Sequence, residues 1–286
     1  MSATTIDSRF TYRRARSLDE AIALLQEHEG AKVIAGGQSL MPMVNMRLVT
    51  PAMLVDIGRI QELDYVRVSN NALEIGALTR HLTLEQSPVV RQHCPMLSAA
   101  AGYIGHVHIR NRGTIGGSLS HADPAAELPL TALALNATIR TRGPRGVRDI
   151  PAHAFFLGVF TTALQPGELV EQVRFPMRTP NHRWSFLEQV RRHGDFPLVA
   201  VATILELNGA KIGNAVIALG AVAATPVRAK RAEASLSGQE PTVDGFRSAA
   251  QLAAGEVEPS DIIHASAAYR REMVEVYTRR ALETAG

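Results

Sequence analysis

The segment Ala35-Gly36-Gly37-Gln38-Ser39 has a counterpart in Thr114-Ile115-Gly116-Gly117-Ser118. Both carry paired glycines closely followed by a hydroxyl residue, and the first ends an apolar stretch that predicts a strand over Lys32 to Ala35. Paired glycines let backbone amides approach an anion without an intervening Cβ, and the serine hydroxyl adds a donor. Taken singly, each segment is more often a plain connection. Together they predict two turns that face each other and hold both halves of a pyrophosphate.

The two glycine segments lack the usual nucleotide signatures. Neither has the form Gly-x-Gly-x-x-Gly, and the chain has no Gly-x-x-x-x-Gly-Lys-Ser/Thr, so dinucleotide binding of the Rossmann type and P-loop binding are unsupported. Arg110 and Arg112 lie just before the second segment, where surface salt bridges are a more common role than phosphate contact.

Length and composition describe an ordered protein of two or three domains. The chain has 286 residues, of which 46% are hydrophobic and 20% charged. The sequence has no run of about 18 apolar residues, which predicts that the chain does not span a membrane. The polar start lacks the apolar segment of a secretory signal, so we expect a cytoplasmic protein. The net charge of +3 is spread along the chain, which argues against nucleic acid as a partner.

Metal binding and nucleophilic catalysis receive little support from the residues. A single cysteine, Cys94, excludes an iron-sulfur cluster held wholly by this chain, because such a cluster usually takes four thiolates. His106, His108 and His121 flank the second glycine segment, but their spacing matches no metal motif, and we expect cofactor-lining or structural roles. Gly-x-Ser-x-Gly is also absent.

The first half of the chain predicts two α+β units. Ser17 and Glu20 have the spacing of a capping box, which predicts a helix ending near Gly30. Asp123 followed by Pro124 predicts an N-cap that opens a helix to about Leu135. Further predictions are strands over 32–35, 53–57, 137–142 and 169–175, a hairpin over 65–78, a short helix capped at Thr83, and a helix over 97–104.

After residue 178 the pattern changes to longer strands followed by helices. Three stretches read as a three-stranded antiparallel sheet, and Asn208-Gly209 is a strong hairpin signal. The strands are predicted over 185–191, 199–207 and 211–222, and the helices over 228–235, 243–254 and 264–285. In the last helix, Ala268, Met273, Val276 and Tyr277 are predicted to face inward.

Read together, these segments resemble the medium, FAD-binding subunit of the carbon monoxide dehydrogenase and xanthine dehydrogenase class of molybdenum hydroxylases. The resemblance covers nearly the whole chain. The matching pieces are Ala35 to Leu40, Arg112 to Ser118, Asp123 to Pro129, Arg192 to Phe196 and Ser266 to Arg271.

The resemblance implies an α+β chain with the FAD-binding fold of vanillyl-alcohol oxidase, made of two α+β subdomains. It also implies a C-terminal α/β domain with a three-stranded antiparallel sheet and helices. The expected bounds are 1–57 and 58–178 for the subdomains and 179–286 for the C-terminal domain.

The resemblance further implies where FAD is bound. The two glycine segments would wrap the pyrophosphate, the carboxylate of Glu127 would point toward the ribose or adenine, and Phe196 would lie near the isoalloxazine ring. Two positions depart from the family, since Ser118 stands where Asn is common and Glu127 where Asp is common. The residues expected to contact FAD are Lys32, Val33, Ile34, Ala35, Gly36, Gly37, Gln38, Ser39, Ile104, Thr114, Ile115, Gly116, Gly117, Ser118, His121, Glu127, Leu169 and Phe196.

The implied role is electron transfer rather than substrate chemistry on this chain. A large partner subunit would carry the molybdenum cofactor, and a small one would carry [2Fe-2S] clusters that pass electrons to FAD here and on to an external acceptor. The expected assembly is a dimer of heterotrimers. Two alternatives remain at this stage: a self-sufficient flavin oxidoreductase of the same fold, and a non-catalytic scaffold.

Overall fold

The structure, a computed structural model, describes residues 10–177 and 181–286. The chain forms three sheet-centred units in sequence order. The predicted boundary near residue 178 lies outside the described residues. Within these ranges, no helix combines the length and apolar character needed to cross a membrane.

The first unit is a three-stranded parallel sheet with one helix packed against it. The central strand, β3, pairs with both others, giving the order β1-β3-β2. The serine of the predicted capping box caps the first helix, because the amide of Glu20 donates to the Ser17 hydroxyl at 3.1 Å. Its elements are β1 Thr11–Arg14, α1 Leu18–Glu27, β2 Ala31–Ile34, α2 Leu40–Asn45 and β3 Met53–Asp56.

The second unit is a five-stranded antiparallel sheet that carries most of the short helices. Its order is β4-β5-β10-β6-β7, and Asn70 and Asn71 both have positive φ in the predicted first hairpin. A single 3-10 turn, Gln61–Leu63, precedes it. The strands and helices are β4 Val66–Ser69, β5 Ala72–Gly76, α3 His81–Gln86, α4 Pro88–His93, α5 Pro95–Tyr103, α6 Val107–Arg110, α7 Ile115–His121, α8 Glu127–Ala134, β6 Thr138–Gly143, β7 Gly146–Pro151, α9 Ala152–Phe155, β8 Phe156–Gly158, β9 Thr161–Thr162 and β10 Leu169–Pro176. Of these, β8 and β9 pair with each other in a separate two-stranded sheet.

The third unit contains the predicted antiparallel sheet with one short strand added at its edge. The three long strands lie side by side, and β14 extends the order to β11-β12-β13-β14. A helix alone was predicted over 228–235, whereas the structure has the short edge strand β14 followed by the helix α10 there. The elements are β11 His182–Gln189, β12 Val199–Asn208, β13 Lys211–Gly220, β14 Val227–Arg228, α10 Lys230–Leu236, α11 Val243–Ala254 and α12 Ala267–Ala285.

The third sheet joins the units because both of its faces are buried. Alternate side chains, such as Val201 and Ala202, enter different hydrophobic cores. One face packs on α10, α11 and α12, and the other packs on α5 and α8 of the second unit. At this second contact the rings of Tyr103 and Phe186 lie 5.5 Å apart between centroids. The C-terminal unit therefore packs against α8, which in turn contacts α7, the helix that begins with the second glycine segment.

Three local predictions were wrong. Asp123 does not cap a helix, because its carboxylate accepts from the amide of Ala125 at 2.9 Å in a turn, and α8 begins only at Glu127. Thr83 lies inside α3 rather than at its start. In α12 the prediction was wrong at Ala268, which is exposed, whereas Met273 and Tyr277 pack against the core of the third unit as predicted. The buried positions of this helix are Arg270, Val274, Thr278, Ala281, Leu282 and Ala285.

Candidate functional site

The first glycine segment is a tight turn between β2 and α2. Gly37 has a φ of +72°, a conformation that L side chains rarely adopt, so glycine is required there. Within the described residues, the backbone N–H groups of Gly36, Gly37, Gln38 and Ser39 donate to no protein acceptor. Four unpaired amides on a glycine turn are a suitable cradle for an anion.

The second glycine segment was predicted to be a turn, but it forms the start of a helix. Thr114 is the N-cap of α7, and its hydroxyl accepts from the amide of Gly117 at 3.1 Å. The amides of Ile115 and Gly116 donate to the carbonyl oxygens of Thr79 and Ala77, and the Ser118 amide donates to that of Thr114. These four amides already have protein acceptors, so the unpaired amides lie on the first segment.

The two segments are held together by a backbone contact at Gly36. A Cβ on Gly36 would lie 2.1 Å from the carbonyl oxygen of Arg112 and 2.9 Å from the Cα of Gly113. Only glycine permits this approach. The first turn therefore lies directly against the residues that lead into α7, as the sequence pairing predicted.

Gly116 serves packing rather than access for a ligand. A Cβ there would lie 2.6 Å from the Cβ of Ala77 and 2.8 Å from its carbonyl oxygen, at the end of β5. By contrast, Gly117 is exposed and Ser118 is half-buried. The residues of this segment that face outward are therefore Gly117 and Ser118.

Two buried carboxyl groups lie beyond α7. Glu127, at the start of α8, is 5% exposed, and burial raises its pKa to about 7. Burial, together with the nearby charge of Glu127, raises the pKa of Glu188 on β11 to about 8. The Glu188 Oε2 atom is buried and has no hydrogen-bond partner among the described residues. Sequence reasoning identified Glu127 but missed Glu188, because a carboxylate in a strand gives no sign of its depth.

An aromatic pair covers the end of α7. The His121 ring stacks on the Phe160 ring with centroids 4.8 Å apart and an interplanar angle of 27°. Burial lowers the pKa of His121, so its imidazole favours the neutral form. His121 is half-buried, and the structure places it beside an aromatic ring rather than among metal ligands. Within the described ranges, no group of three His, Cys, Asp or Glu side chains could hold a metal ion.

The loop before β12 brings Phe196 toward the second unit. Gly194 has a φ of +88°, and a Cβ there would lie 2.7 Å from the His106 ring and 3.1 Å from the Gly105 carbonyl oxygen. This contact brings the Phe196 loop against the end of α5, next to Ile104. Phe196 is 67% exposed, which is unusual for a large aromatic side chain. It is available to cover a planar ligand.

The remaining residues predicted to contact FAD lie either on β2 or in the hydrophobic core. Lys32 is exposed on β2, while Val33, Ile34 and Ala35 are half-buried along the approach to the turn. Leu169 is different, because its side chain is 4% exposed and belongs to the core of the first unit. Its side chain is not open to a ligand.

FAD fits this arrangement on structural grounds. Its pyrophosphate is an anion that four unpaired amides can bind, and the serine hydroxyls at both segments add donors. Its isoalloxazine ring is planar and aromatic, which matches an exposed Phe196. The fold and site thus fit a protein that binds a flavin dinucleotide.

The chain belongs to the family of FAD-binding subunits of molybdopterin dehydrogenases. The model for the FAD binding domain in molybdopterin dehydrogenase matches residues 8–178, and the model for the CO dehydrogenase flavoprotein C-terminal domain matches residues 184–285. The protein is therefore a subunit of an oxidoreductase, and its cofactor is FAD.

Similar proteins cover almost the whole chain. The glyceraldehyde dehydrogenase medium chain of Sulfolobus acidocaldarius is 38% identical, over 96% of this chain and 97% of the relative. The nicotine 6-hydroxylase medium subunit of Paenarthrobacter nicotinovorans is also 38% identical, over 96% of each chain. In the solved structure of carbon monoxide dehydrogenase from Hydrogenophaga pseudoflava, one chain superimposes with a TM-score of 0.95 at 36% identity, covering 98% of both chains.

Proposed function

We propose that this chain is the electron-transfer subunit of a heteromeric molybdenum hydroxylase. It would receive electrons from [2Fe-2S] clusters on a small partner subunit, while a large partner subunit holds the molybdenum cofactor and hydroxylates the substrate. Bound FAD supplies the redox chemistry by accepting single electrons and releasing them in pairs to an external acceptor. A dimer of heterotrimers is the proposed assembly.

The cysteine content is the main observation that supports placing the iron-sulfur clusters on a partner chain. The chain has one cysteine, Cys94, and its side chain is 5% exposed within the core of the second unit. An iron-sulfur relay needs several thiolates, so a cluster that serves this flavin must belong to another chain. The medium-subunit names of the relatives also support a complex with partner chains.

The residues of this chain would bind, orient and shield FAD. The amides of Gly36 to Ser39 would donate to the pyrophosphate, and Ser118 would add its hydroxyl from the facing helix. Phe196 and Ile104 would contact the ring system. The proposed binding set is Lys32 to Ser39, Ile104, Thr114 to Ser118, His121, Glu127, Leu169 and Phe196, with Leu169 acting through its backbone.

The buried carboxyl pair would hold protons near the cofactor. Because the pKa values of Glu127 and Glu188 are raised to about 7 and about 8, both groups can be protonated at neutral pH. A protonated carboxyl donates a hydrogen bond, whereas a carboxylate only accepts. The pair would thus limit negative charge beside a cofactor that gains electrons.

We also propose domain bounds at residues 57 and 178.

The experiment is purification of the tagged chain from its own cells, followed by metal analysis and mass spectrometry of the associated chains. The expected result is one complex that contains FAD, iron and molybdenum. An aldehyde or N-heterocycle oxidised by this complex should bleach its flavin absorbance, while the isolated FAD-loaded chain should not respond. Substrate-driven bleaching of the isolated chain, without metal-bearing partners, would contradict the proposal.

A further inference from the structure

Four arginines from separate segments converge on one concavity at the carboxyl end of the first sheet. Arg14 ends β1, Arg59 follows β3, Arg80 precedes α3 and Arg112 precedes α7. The concavity has a volume of about 210 Å³. Its other lining residues are Ala35, Asp56 and Gly58. Ala35 begins the first glycine turn, so the concavity shares a wall with the amide cradle.

The carboxylate in this concavity, that of Asp56, already accepts hydrogen bonds from neighbouring groups. Asp56 Oδ1 accepts from the amide of Gly58 at 2.8 Å, and Oδ2 accepts from the Tyr12 hydroxyl and from Arg14 Nε at 3.4 Å. Although burial opposes it, these hydrogen bonds lower the pKa of Asp56. Asp56 therefore balances the charge of Arg14.

The other three guanidinium groups lack such a partner. The side chains of Arg59 and Arg112 make no hydrogen bond or ion pair in the part of the chain that the structure describes. Arg80 donates to the carbonyl oxygen of Arg112, and burial followed by the charge of Arg112 lowers its pKa. Three guanidinium groups without a salt-bridge partner among the described residues thus face one space, which also contains the Arg14–Asp56 pair.

We propose that Arg59, Arg80 and Arg112 form a binding site for a phosphate group beside the first glycine turn. A phosphate dianion offers several acceptor oxygens and two charges, which suits three guanidinium groups arriving from different directions. A carboxylate from a partner protein has only two oxygens and one charge, and it would satisfy the concavity less well. A dianion is a terminal phosphate group, whereas each phosphate of FAD carries one charge and is assigned to the turn amides, so the ligand of the arginines is a second phosphorylated molecule.

The probes are inorganic phosphate and pyrophosphate, titrated by calorimetry into the FAD-loaded chain and into the chain stripped of FAD. The variants are Arg59→Gln and Arg112→Gln, whose side chains make no hydrogen bond or ion pair within residues 10–177 and 181–286. Each should weaken binding about tenfold, the effect of losing one hydrogen bond to a charged group. The control is Arg145→Gln, an exposed arginine at the tip of the β6–β7 hairpin, which should bind as the unaltered chain does.

Binding to the FAD-loaded chain supports a second phosphorylated ligand. Binding to the stripped chain alone, with a matching loss of FAD affinity in both variants, would overturn the proposal, because the arginines would then contact the pyrophosphate of FAD. The proposal is overturned if neither form of the chain binds the probes, or if the variants bind them as tightly as the control. It is also overturned if both variants bind normally but fail to retain partner subunits, since the arginines would then form a protein interface.

Discussion

Gly36 lies against the backbone of Arg112 so closely that a Cβ at residue 36 would sit 2.1 Å from the Arg112 carbonyl oxygen. This contact fixes the distance between the first glycine turn and α7. Because the carbonyl belongs to backbone rather than to a flexible side chain, a larger residue must separate the two segments.

Gly36→Ala should therefore weaken FAD binding. We expect the dissociation constant to rise at least about tenfold, and the free energy of unfolding to fall by about 1–3 kcal/mol from overpacking. The control is Gly102→Ala in α5, where the nearest atom to the new Cβ is 3.8 Å away. Fluorescence titration with FAD measures the first effect and denaturant unfolding the second. Equal FAD affinities in the two variants would argue against a spacing role for Gly36.

Gly116→Ala should affect stability rather than FAD binding as such. The new Cβ would meet Ala77 at 2.6 Å, on the side of α7 that faces the sheet. We expect a loss of about 1–3 kcal/mol in unfolding free energy with or without FAD. Denaturant unfolding of both forms checks this. A variant of normal stability that has lost FAD would show instead that Gly116 faces the phosphates.

Phe196→Ser should alter the flavin environment while FAD stays bound. The phosphate cradle is distant in sequence and does not involve this side chain, so FAD content should be retained. Loss of an aromatic neighbour should shift the flavin absorbance spectrum and fluorescence yield. Leu157→Ser, at an apolar residue that is 63% exposed, provides the control. A spectrum identical to that of the control would place Phe196 away from the ring.

Stability of the FAD-free chain should fall as the pH rises from about 6.5 to about 8. The folded pKa values of Glu127 and Glu188 are raised, so the folded state holds protons that the unfolded state has released, and unfolding becomes easier at higher pH. Loss of Glu127's proton contributes at most about 1.4 kcal/mol per pH unit. Below pH 6.5 the lowered pKa values of His81 and His121 make the chain less stable as the pH falls, which opposes the effect of the two carboxyl groups. The effect of Glu127 and Glu188 is therefore measured between pH 6.5 and 8.

Glu188→Gln should reduce this slope between pH 6.5 and 8. Glu240→Gln, at an exposed carboxylate, should leave it unchanged. Chemical denaturation at a series of pH values measures both. An unaltered slope in Glu188→Gln would mean that Glu188 ionises as freely in the folded chain as in the unfolded one.

Local patterns predicted much of the secondary structure. The capping serine at residue 17, the alternation of β5 and the turn at Asn208-Gly209 depend on neighbours in sequence, so the sequence alone indicates them. The glycine pairing was also readable, because the two segments share a pattern and the family resemblance covers both.

Contacts between distant residues could not be predicted in this way. Arg270 is 5% exposed inside α12, where it donates to the carbonyl oxygens of Leu198, Ser260 and Ala221. A periodicity of apolar residues assigns such an arginine to solvent, which is why the predicted inner face of α12 did not include Arg270. Likewise, the acceptors of the α7 amides come from residues 77 and 79, and only the folded chain shows that they are taken.

The amides of the first glycine turn are proposed to bind the FAD phosphates. Hydrogen–deuterium exchange at single-amide resolution, compared between the FAD-free and FAD-loaded chain, tests this proposal most directly. Exchange at Gly36 to Ser39 should slow strongly on FAD binding, while the amides of Ile115 to Ser118, which already have acceptors, should change little. Unchanged exchange at Gly36 to Ser39 in a chain with FAD bound would contradict it.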